Sequence, residues 1–264
     1  MRRALNIFAA LLLAQAAFAQ SRVDSIRTRL LDRQDGSVLV AAHRGVWDNA
    51  PENSVASIEA AIACGAHIVE LDVRKTLAGE LILSHYDVMF RPSGACSLED
   101  ALLAAKGKIM VNVDKAFGYF DDVVEIAERT GTLDHIIFKS GMPAYKAKRI
   151  MGDYAGKVLF MPIIHICSGG ALACIEDYVK LLNPPLYEWV FDDDSDPVLT
   201  IASARLQGIG KIWVNTMWGW LCGGHDDAFS AKDADAGYGW LLRELDVKVL
   251  HTDRTSDVLA YLNR

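Results

Sequence analysis

Short apolar runs rich in β-branched residues recur along most of the chain and predict eight β-strands. They cover residues 38–42, 67–73, 108–114, 135–139, 157–164, 187–191, 211–216 and 247–251. Stretches with helical spacing of apolar positions lie between them, at residues 54–64, 119–130, 144–154, 171–182, 197–207 and 238–245. The same spacing predicts a helix ahead of the first strand, within residues 22–34.

This alternation of strands and helices indicates parallel βα units, and near-continuous apolar strands indicate a sheet that is covered on both faces. Eight units in a chain of this length favour an α/β fold of one domain, the closed (β/α)8 or TIM barrel, which typically has about 250 residues. A doubly wound open sheet is the alternative. The first strand is not followed by the G-x-G-x-x-G motif that many such sheets carry.

Residues 1–19 have the pattern of a signal peptide. Arg2 and Arg3 precede an apolar run, and Ala17-Phe18-Ala19 matches an A-x-A cleavage site. We therefore expect residues 20–264 to form the barrel domain of a secreted or periplasmic protein, with no stable membrane anchor after cleavage. An uncleaved anchor is the alternative, but the apolar run is short for a helix that crosses a bilayer.

Composition excludes two classes of protein. The 264 residues are 52% hydrophobic, which is too apolar for a disordered or low-complexity chain. The net charge is −7, with 34 acidic and 27 basic residues, so we expect no nucleic-acid partner. An anionic substrate would need a metal ion or a local basic pocket.

Carboxylates stand at the ends of two neighbouring predicted strands. Glu70 and Asp72 are two residues apart, so both side chains point to one side of the second strand, and Asp114 ends the third. Three converging carboxylates repel one another unless a cation lies between them, and Ca²⁺ or Mg²⁺ prefers such oxygen ligands. The alternative is a set of solvated acids balanced by Arg74 and Lys75.

Histidines flank this predicted cluster. His43 ends the first strand, and His85 follows a short hairpin that turns at Gly79. Two histidines beside a metal can act as base and acid around one phosphorus or carbonyl centre. Arg44 could bind a phosphate or pair with Glu52. The alternative for each histidine is a hydrogen-bonded structural role.

The same residues form a series of linked motifs. In order along the chain these are His43-Arg44-Gly45, Pro51-Glu52-Asn53-Ser54, Gly65-Ala66, Glu70-Leu71-Asp72-Val73, Thr76, Gly79, His85-Tyr86-Asp87, Ser97-Leu98-Glu99 and Thr252-Asp253-Arg254. This series resembles the signature of the glycerophosphodiester phosphodiesterase family. The resemblance extends from about Val38 to Asp253 and is densest in the first third of that range.

The resemblance implies a TIM barrel that uses one divalent cation, Ca²⁺ or Mg²⁺, to hydrolyse a small phosphodiester. By position, the metal ligands would be Glu70, Asp72 and Asp114, and the catalytic pair His43 and His85. Arg44 would bind the phosphate, with Glu52 and Asn53 in the first loop. The implied reaction converts glycerophosphodiesters to glycerol 3-phosphate and an alcohol. The alternatives are a phospholipase D-like enzyme that acts on lysophospholipids and a barrel that binds phosphodiesters without turnover.

Several positions depart from the family pattern. Asp114 replaces the usual Glu, as in spider-venom phospholipases D, and the usual insertion after the second strand is almost absent. The family's lysine stands two positions after the third ligand, whereas Lys115 follows Asp114 directly. Strand alternation would turn Lys115 away from the site, as a backup or surface residue. We therefore expect Lys139 to hold the phosphate; the alternative is that Lys139 extends outward between helices.

Three tryptophans follow or belong to the seventh strand, namely Trp213, Trp218 and Trp220. They could line the site for the alcohol, with Trp213 as a substrate-binding residue, or make a transient contact with lipid. The alternative is ordinary packing in the core and loops.

Overall fold

The computed structural model describes residues 21–264 and contains nine strands. They are β1 (Leu39–Ala42), β2 (Ile68–Lys75), β3 (Leu81–Leu83), β4 (Met110–Asp114), β5 (Ile136–Ser140), β6 (Leu159–His165), β7 (Leu186–Val190), β8 (Lys211–Asn215) and β9 (Val247–Thr252). All except β3 are parallel neighbours in chain order, and β1 pairs with both β2 and β9. That last pairing closes the sheet, which confirms the predicted TIM barrel.

Helices surround this barrel. They are α1 (Arg22–Leu31), α2 (Val55–Cys64), α3 (Leu98–Ala105), α4 (Phe120–Thr130), α5 (Ala144–Met151), α6 (Ala171–Leu181), α7 (Val198–Leu206), α8 (Asp227–Ser230), α9 (Tyr238–Glu244) and α10 (Thr255–Leu262). Short 3₁₀ turns lie at Phe117–Tyr119, Leu133–His135, Gly152–Tyr154 and Gly219–Leu221. Among the helices of this part of the chain, none has both the length and the apolarity needed to cross a bilayer.

Each predicted strand and helix has a counterpart, although several ends differ. The helix predicted over residues 144–154 ends as an α-helix at Met151, because Gly152 has a positive φ of 49° and the chain continues as a 3₁₀ turn. The predicted hairpin is present, with β3 antiparallel to the end of β2. Apolar spacing does not predict α3, α8 or α10, each of which has only one or two turns. The predicted signal peptide, residues 1–19, lies outside the described residues.

Alternation along the strands separates two buried clusters. One contains outward side chains such as Val40, Leu71 and Phe138, which pack against the helices. The other, here called the lower interior cluster, fills the barrel on the side away from the C-terminal strand ends. Its inward side chains are Leu39, Ala41, Ile68, Met110, Ile137, Leu159, Met161, Leu186, Trp213 and Val249. Nearer the C-terminal strand ends the inward positions become polar, which places the polar site at one mouth of the barrel.

Helix α1 closes the opposite end of the barrel. Its Val23, Ile26 and Leu30 belong to the lower interior cluster and are at most 3% exposed. A capping box between Ser21 and Asp24 begins the helix. Arg22 holds it in place by donating to backbone carbonyls of the loops at this end, including that of Ala66 at 2.6 Å. The helix thus completes the core beneath the site without touching the site.

Replacing Ile26 with alanine should lower the free energy of unfolding by about 2–5 kcal/mol, because the change leaves a cavity in a core that cannot easily collapse. Urea denaturation measures this loss. The control is Leu31→Ala on the same helix, where the side chain is 45% exposed. Similar losses for both variants would contradict the role of α1 as the plug of the barrel.

Candidate active site

Three carboxylates converge at the C-terminal mouth of the barrel. Glu70 and Asp72 lie on the inward face of β2, and the register between β2 and β4 pairs Asp72 with Asp114. One carboxylate oxygen from each residue lies within 4.8 Å of the other two. Glu70 and Asp72 are only 1% and 2% exposed, so water screens their charges poorly. The predicted convergence is therefore present.

The pKa values of the three carboxyl groups shift in different directions. Burial raises the pKa of Glu70 to about 7, and the charges of Asp114 and Asp72 add to this effect. Burial alone would also raise the pKa of Asp72, but hydrogen bonds from Lys115 and Asn53 outweigh it and bring the pKa below its usual value. Burial would also raise the pKa of Asp114, but the Lys139 ammonium and a hydrogen bond from the Lys115 backbone N–H together outweigh it and lower the pKa. Asp72 and Asp114 are therefore charged at neutral pH, while Glu70 is poised between its two forms.

The donor set fits a divalent cation. All three ligand atoms are carboxylate oxygens, which hard cations such as Ca²⁺ and Mg²⁺ prefer. Of the three carboxylates, Glu70 is the one whose charged form is most disfavoured by burial. A neighbouring cation would therefore stabilise the charged form of Glu70 most. Within residues 21–264 this is the one group of three or more acidic, histidine or cysteine side chains that has such close spacing.

Asn53 holds Asp72 in position by two hydrogen bonds. The side-chain amide donates to Asp72 Oδ2 at 3.0 Å, and the Asp72 backbone N–H donates to Asn53 Oδ1 at 2.9 Å. Asn53 has a positive φ of 54°, a conformation that asparagine tolerates better than most residues. The loop after β1 thus fixes a carboxylate on β2.

Arg44 connects the same loop to two of the carboxylates. Its backbone N–H donates to Glu70 Oε2 at 3.0 Å, and its Nε lies 3.2 Å from Asp72 Oδ2. The guanidinium also donates to Glu52 at 2.9 Å. Next to it, Gly45 has a φ of +86°, and a Cβ there would come within 2.5 Å of Ser57 Oγ. Only glycine therefore fits at this position, which explains the third letter of the His-Arg-Gly motif.

The two predicted catalytic histidines lie on different sides of the cluster. His43 begins the loop after β1, with its Nδ1 at 2.7 Å from Asp253 Oδ1, and its ring lies against those of His251 and Trp218. His85 lies on the Asp72 side, with its Nδ1 at 3.2 Å from Asp72 Oδ2. Sequence motifs indicated both positions, but the partners of each ring follow only from the fold.

Lys115 contradicts the expected surface position. It has a positive φ of 59°, and its ammonium donates to Asp72 Oδ1 and to the backbone carbonyl of His85. The ammonium also lies 2.9 Å from His85 Nδ1. The expectation was wrong because it assumed regular alternation, whereas β4 ends at Asp114 and the left-handed residue after it turns the side chain back into the site.

Lys139 points into the barrel, so the alternative in which it extends outward between helices is wrong. Its ammonium lies 3.2 Å from Glu188 Oε2 and 3.5 Å from Asp114 Oδ1. Burial alone would lower the pKa of Lys139, but the charges of Glu188 and Asp114 outweigh it and raise the pKa. Lys139 therefore stays charged and balances two carboxylates. Its direct contact with a phosphate stays a prediction.

Trp213 does not line the mouth, which corrects its expected role as a substrate-binding residue. It is 0% exposed within the lower interior cluster, because it lies two residues before Asn215 on the inward face of β8. Trp218 and Trp220 instead form an exposed parallel stack, with ring centroids 6.1 Å apart. The ring centroids of Trp218 and His43 lie 5.8 Å apart in an edge-to-face arrangement. The tryptophan stack therefore begins at the site and leads outward.

Sequence reasoning misses Glu188, which is 3% exposed and faces the interior from the centre of β7. Its carboxylate binds Lys139 and also accepts a hydrogen bond from Asn215 at 2.9 Å. The available signal is a lone charge within the otherwise apolar segment Leu186–Val190. Such a charge is costly to bury unless it is paired.

Two family models match parts of the chain. The glycerophosphoryl diester phosphodiesterase family matches residues 43–106, which contain four of the five predicted metal ligands and catalytic residues. The resemblance to this family is confirmed. A model described as a domain of unknown function matches residues 160–262. A curated glycerophosphodiester phosphodiesterase from Caldanaerobacter subterraneus subsp. tengcongensis is 32% identical over 115 residues, or 40% of this chain and 47% of that protein. The chain thus matches about half the length of this relative.

Solved glycerophosphodiester phosphodiesterase structures share the fold. One from Parabacteroides distasonis has a TM-score of 0.70 at 15% identity and covers 91% of each chain. One from Thermotoga maritima has a TM-score of 0.58 at 20% identity, covering 85% of this chain and 98% of that one. An Oleispira antarctica phosphodiesterase in complex with sn-glycerol-3-phosphate has a TM-score of 0.60 at 14% identity, with coverages of 88% and 99%.

Saturating Ca²⁺ should raise the melting temperature more at pH 8 than at pH 6. The raised pKa of Glu70, about 7 against an ordinary 4.5, favours the folded metal-free protein at low pH, and this contribution is lost as pH rises through 7. A cation binds the charged form and offsets that loss, whereas at pH 6 it must displace a proton.

Thermal denaturation with and without Ca²⁺ measures this difference. Glu70→Gln is the control, because it removes both the titrating group and a ligand. In this variant the rise in melting temperature on adding Ca²⁺ should no longer depend on pH. An increment that is equal at both pH values in the wild-type protein would contradict the role of Glu70.

Proposed function

We propose that the protein is a metal-dependent phosphodiesterase that hydrolyses glycerophosphodiesters to glycerol 3-phosphate and an alcohol. The observation that carries this proposal is the cluster of three carboxylates within 4.8 Å, flanked by His43 on one side and His85 on the other. The match of residues 43–106 to the phosphodiesterase family supports it. The signal peptide predicted over residues 1–19 supports a second proposal, that the enzyme acts in the periplasm or outside the cell.

Glu70, Asp72 and Asp114 would hold the cation. When bound, a divalent cation polarises phosphoryl oxygens and neutralises the charge that develops on them. Asn53 and the Arg44 backbone orient two of these ligands by hydrogen bonds of 2.9–3.0 Å. Ligands that are fixed in this way need little reorganisation when the charge of the substrate changes.

The histidines would move the protons. Asp253 accepts a hydrogen bond from His43 Nδ1, which leaves Nε2 as the atom that can take a proton from the attacking hydroxyl. As that oxygen bonds to phosphorus, the bond between phosphorus and the leaving oxygen breaks. His85, on the other side of the cluster, donates a proton to the leaving oxygen. The attacking hydroxyl is either water or a hydroxyl of the glycerol itself, which would first give a cyclic phosphate.

Two cations of the chain would bind the non-bridging oxygens. Lys115 already lies between Asp72 and His85, and the Arg44 guanidinium lies beside both residues, 3.5 Å from His85 Nε2. Fixed positive charges at this point stabilise the transition state. Lys139 is held instead by Glu188 and Asp114, so we assign the phosphate contact to Lys115.

A phospholipase D-like activity on lysophospholipids is the second candidate. The observation that favours it is the stack of Trp218 and Trp220, which is 44% and 62% exposed and begins at His43. Indole faces can hold a choline head group through cation–π contacts, and exposed tryptophans suit a lipid–water boundary. The net charge of −7 favours a zwitterionic over an anionic lipid surface.

An assay against glycerophosphocholine and lysophosphatidylcholine should distinguish these candidates. Chelation should abolish turnover, and a divalent cation should restore it, with glycerol 3-phosphate as the product from the first substrate. Faster turnover of the lysolipid would favour the second candidate, and Trp220→Ser should then reduce only that reaction. Full turnover after chelation, or none on either substrate with metal, would contradict the proposal.

Replacing either His43 or His85 with alanine should lower kcat about 10²-fold or more, the usual contribution of a positioned acid or base. Melting temperatures should change little, because both rings lie at the mouth. The control is His67→Gln, immediately before β2 and at the opposite end of the barrel. A rate close to that of the wild type in either alanine variant would remove that histidine from the mechanism.

Lys115→Met should mainly lower turnover, whereas Lys139→Met should mainly lower stability. The first should reduce kcat about 10²-fold, because it removes a phosphate contact, and should lower stability less than the second, because Asp72 keeps its contacts with Asn53 and Arg44. The second should cost about 3–5 kcal/mol in the free energy of unfolding, because it leaves buried carboxylates unpaired. Steady-state kinetics and urea denaturation give the two values. A larger kinetic effect at Lys139, with stability intact, would return the phosphate contact to that residue.

A further inference from the structure

A buried carboxylate outside the family motifs lies behind the mouth of the barrel. Asp227 is the first residue of α8 and is only 5% exposed. Its Oδ1 accepts hydrogen bonds from three hydroxyl groups, those of Thr216 at 2.6 Å, Thr252 at 2.8 Å and Tyr238 at 2.9 Å. A carboxylate buried to this extent is costly unless several donors pair with it, so its place in the fold needs an explanation.

The other oxygen of Asp227 holds the residue that follows β9. Oδ2 accepts a hydrogen bond of 2.9 Å from the Asp253 backbone N–H. With the bond from Thr252, Asp227 therefore binds two consecutive residues where β9 ends. Thr216, after β8, and Tyr238, at the start of α9, fix the carboxylate from two further directions. Asp227 thus anchors the end of β9 to the neighbouring strand and helix.

The anchored segment in turn determines the position of His43. Asp253 Oδ1 lies 2.7 Å from His43 Nδ1, and the His43 backbone N–H donates to the Thr252 carbonyl at 3.1 Å. The Asp253 side chain is 30% exposed, so water competes for its oxygens. A carboxylate in this situation keeps its direction only if its backbone is fixed. Asp227 fixes that backbone by the bond from the Asp253 N–H.

We propose that Asp227 is a positioning residue for His43 that acts through Asp253. By holding Asp253 in place, it keeps the proton of the His43 ring on Nδ1 and leaves Nε2 free to accept one. This inference rests on the proposed function, in which His43 takes a proton from the attacking hydroxyl. Support of this kind matters because a proton acceptor is effective only when its own partner is held rigidly.

A double-mutant cycle on the metal-loaded full chain, with glycerophosphocholine as substrate, tests this role. Asp227→Asn keeps the shape of the side chain and removes its charge. It should lower kcat about tenfold with little change in KM, because a slightly misplaced base loses part of its effect. Asp253→Ala should lower kcat further, and adding Asp227→Asn to it should cause almost no additional loss. Losses that multiply in the double variant would indicate a purely structural role and overturn the proposal.

The matched control is Asp226→Asn. It changes the neighbouring acid, whose side chain caps α8 through the Phe229 N–H. This variant should have the kcat and KM of the wild type. A loss of kcat equal to that of Asp227→Asn would contradict the proposal, because any disturbance of α8 would then suffice.

Proton NMR measures the bond between His43 and Asp253 directly. The Nδ1–H should give a downfield exchangeable signal that His43→Ala removes, and the signal should weaken or shift in Asp227→Asn but not in Asp226→Asn. If Asp227→Asn fails to fold, Thr252→Val removes one bond to the same carboxylate and should have a smaller effect of the same kind. A wild type without the signal, or an unchanged signal in these variants, would overturn the proposal. Absence of wild-type turnover would overturn the proposed function, while the NMR comparison would still decide the role of Asp227.

Discussion

Repulsion among three carboxylates at one barrel mouth is the constraint on which the surrounding structure depends. Glu70, Asp72 and Asp114 share a space of less than 5 Å, two of them almost fully buried. Like charges at this separation and in this environment cost several kcal/mol unless they are balanced. The chain supplies part of that balance, while burial, together with the charges of Asp114 and Asp72, still raises the pKa of Glu70.

Backbone strain helps to bring the balancing groups into place. Arg44, Asn53 and Lys115 all have positive φ values between 54° and 59°, and each of them contacts Asp72. A left-handed conformation costs an L-residue about 1–2 kcal/mol, so three of them around one carboxylate need compensation. Hydrogen bonds to a buried charge provide it, since each is worth about 1.5–3 kcal/mol.

A second polar layer supports the first from within the barrel. Lys139 bridges Asp114 and Glu188, and Asn215 links Glu188 to His251. Each member is positioned by the next, so truncating one would leave another buried and unpaired. This layer lies directly above apolar side chains that α1 covers from below. The rigidity of the mouth therefore depends on packing at the far end of the barrel.

The sequence by itself determined the barrel and most of its polar mouth. Eight apolar runs with helical stretches between them permit few other folds, and the two-residue spacing of Glu70 and Asp72 forces both onto one face. Only the tertiary structure decided the orientation of Lys115, the depth of Trp213 and the partners of Glu188 and His251. Strand alternation predicts the face to which a side chain points only while the strand stays regular. It does not predict how far along the barrel axis that side chain lies. Contacts across the interior join residues far apart in the chain, such as Glu70 and His251, and these become neighbours only when β1 closes the sheet between β2 and β9.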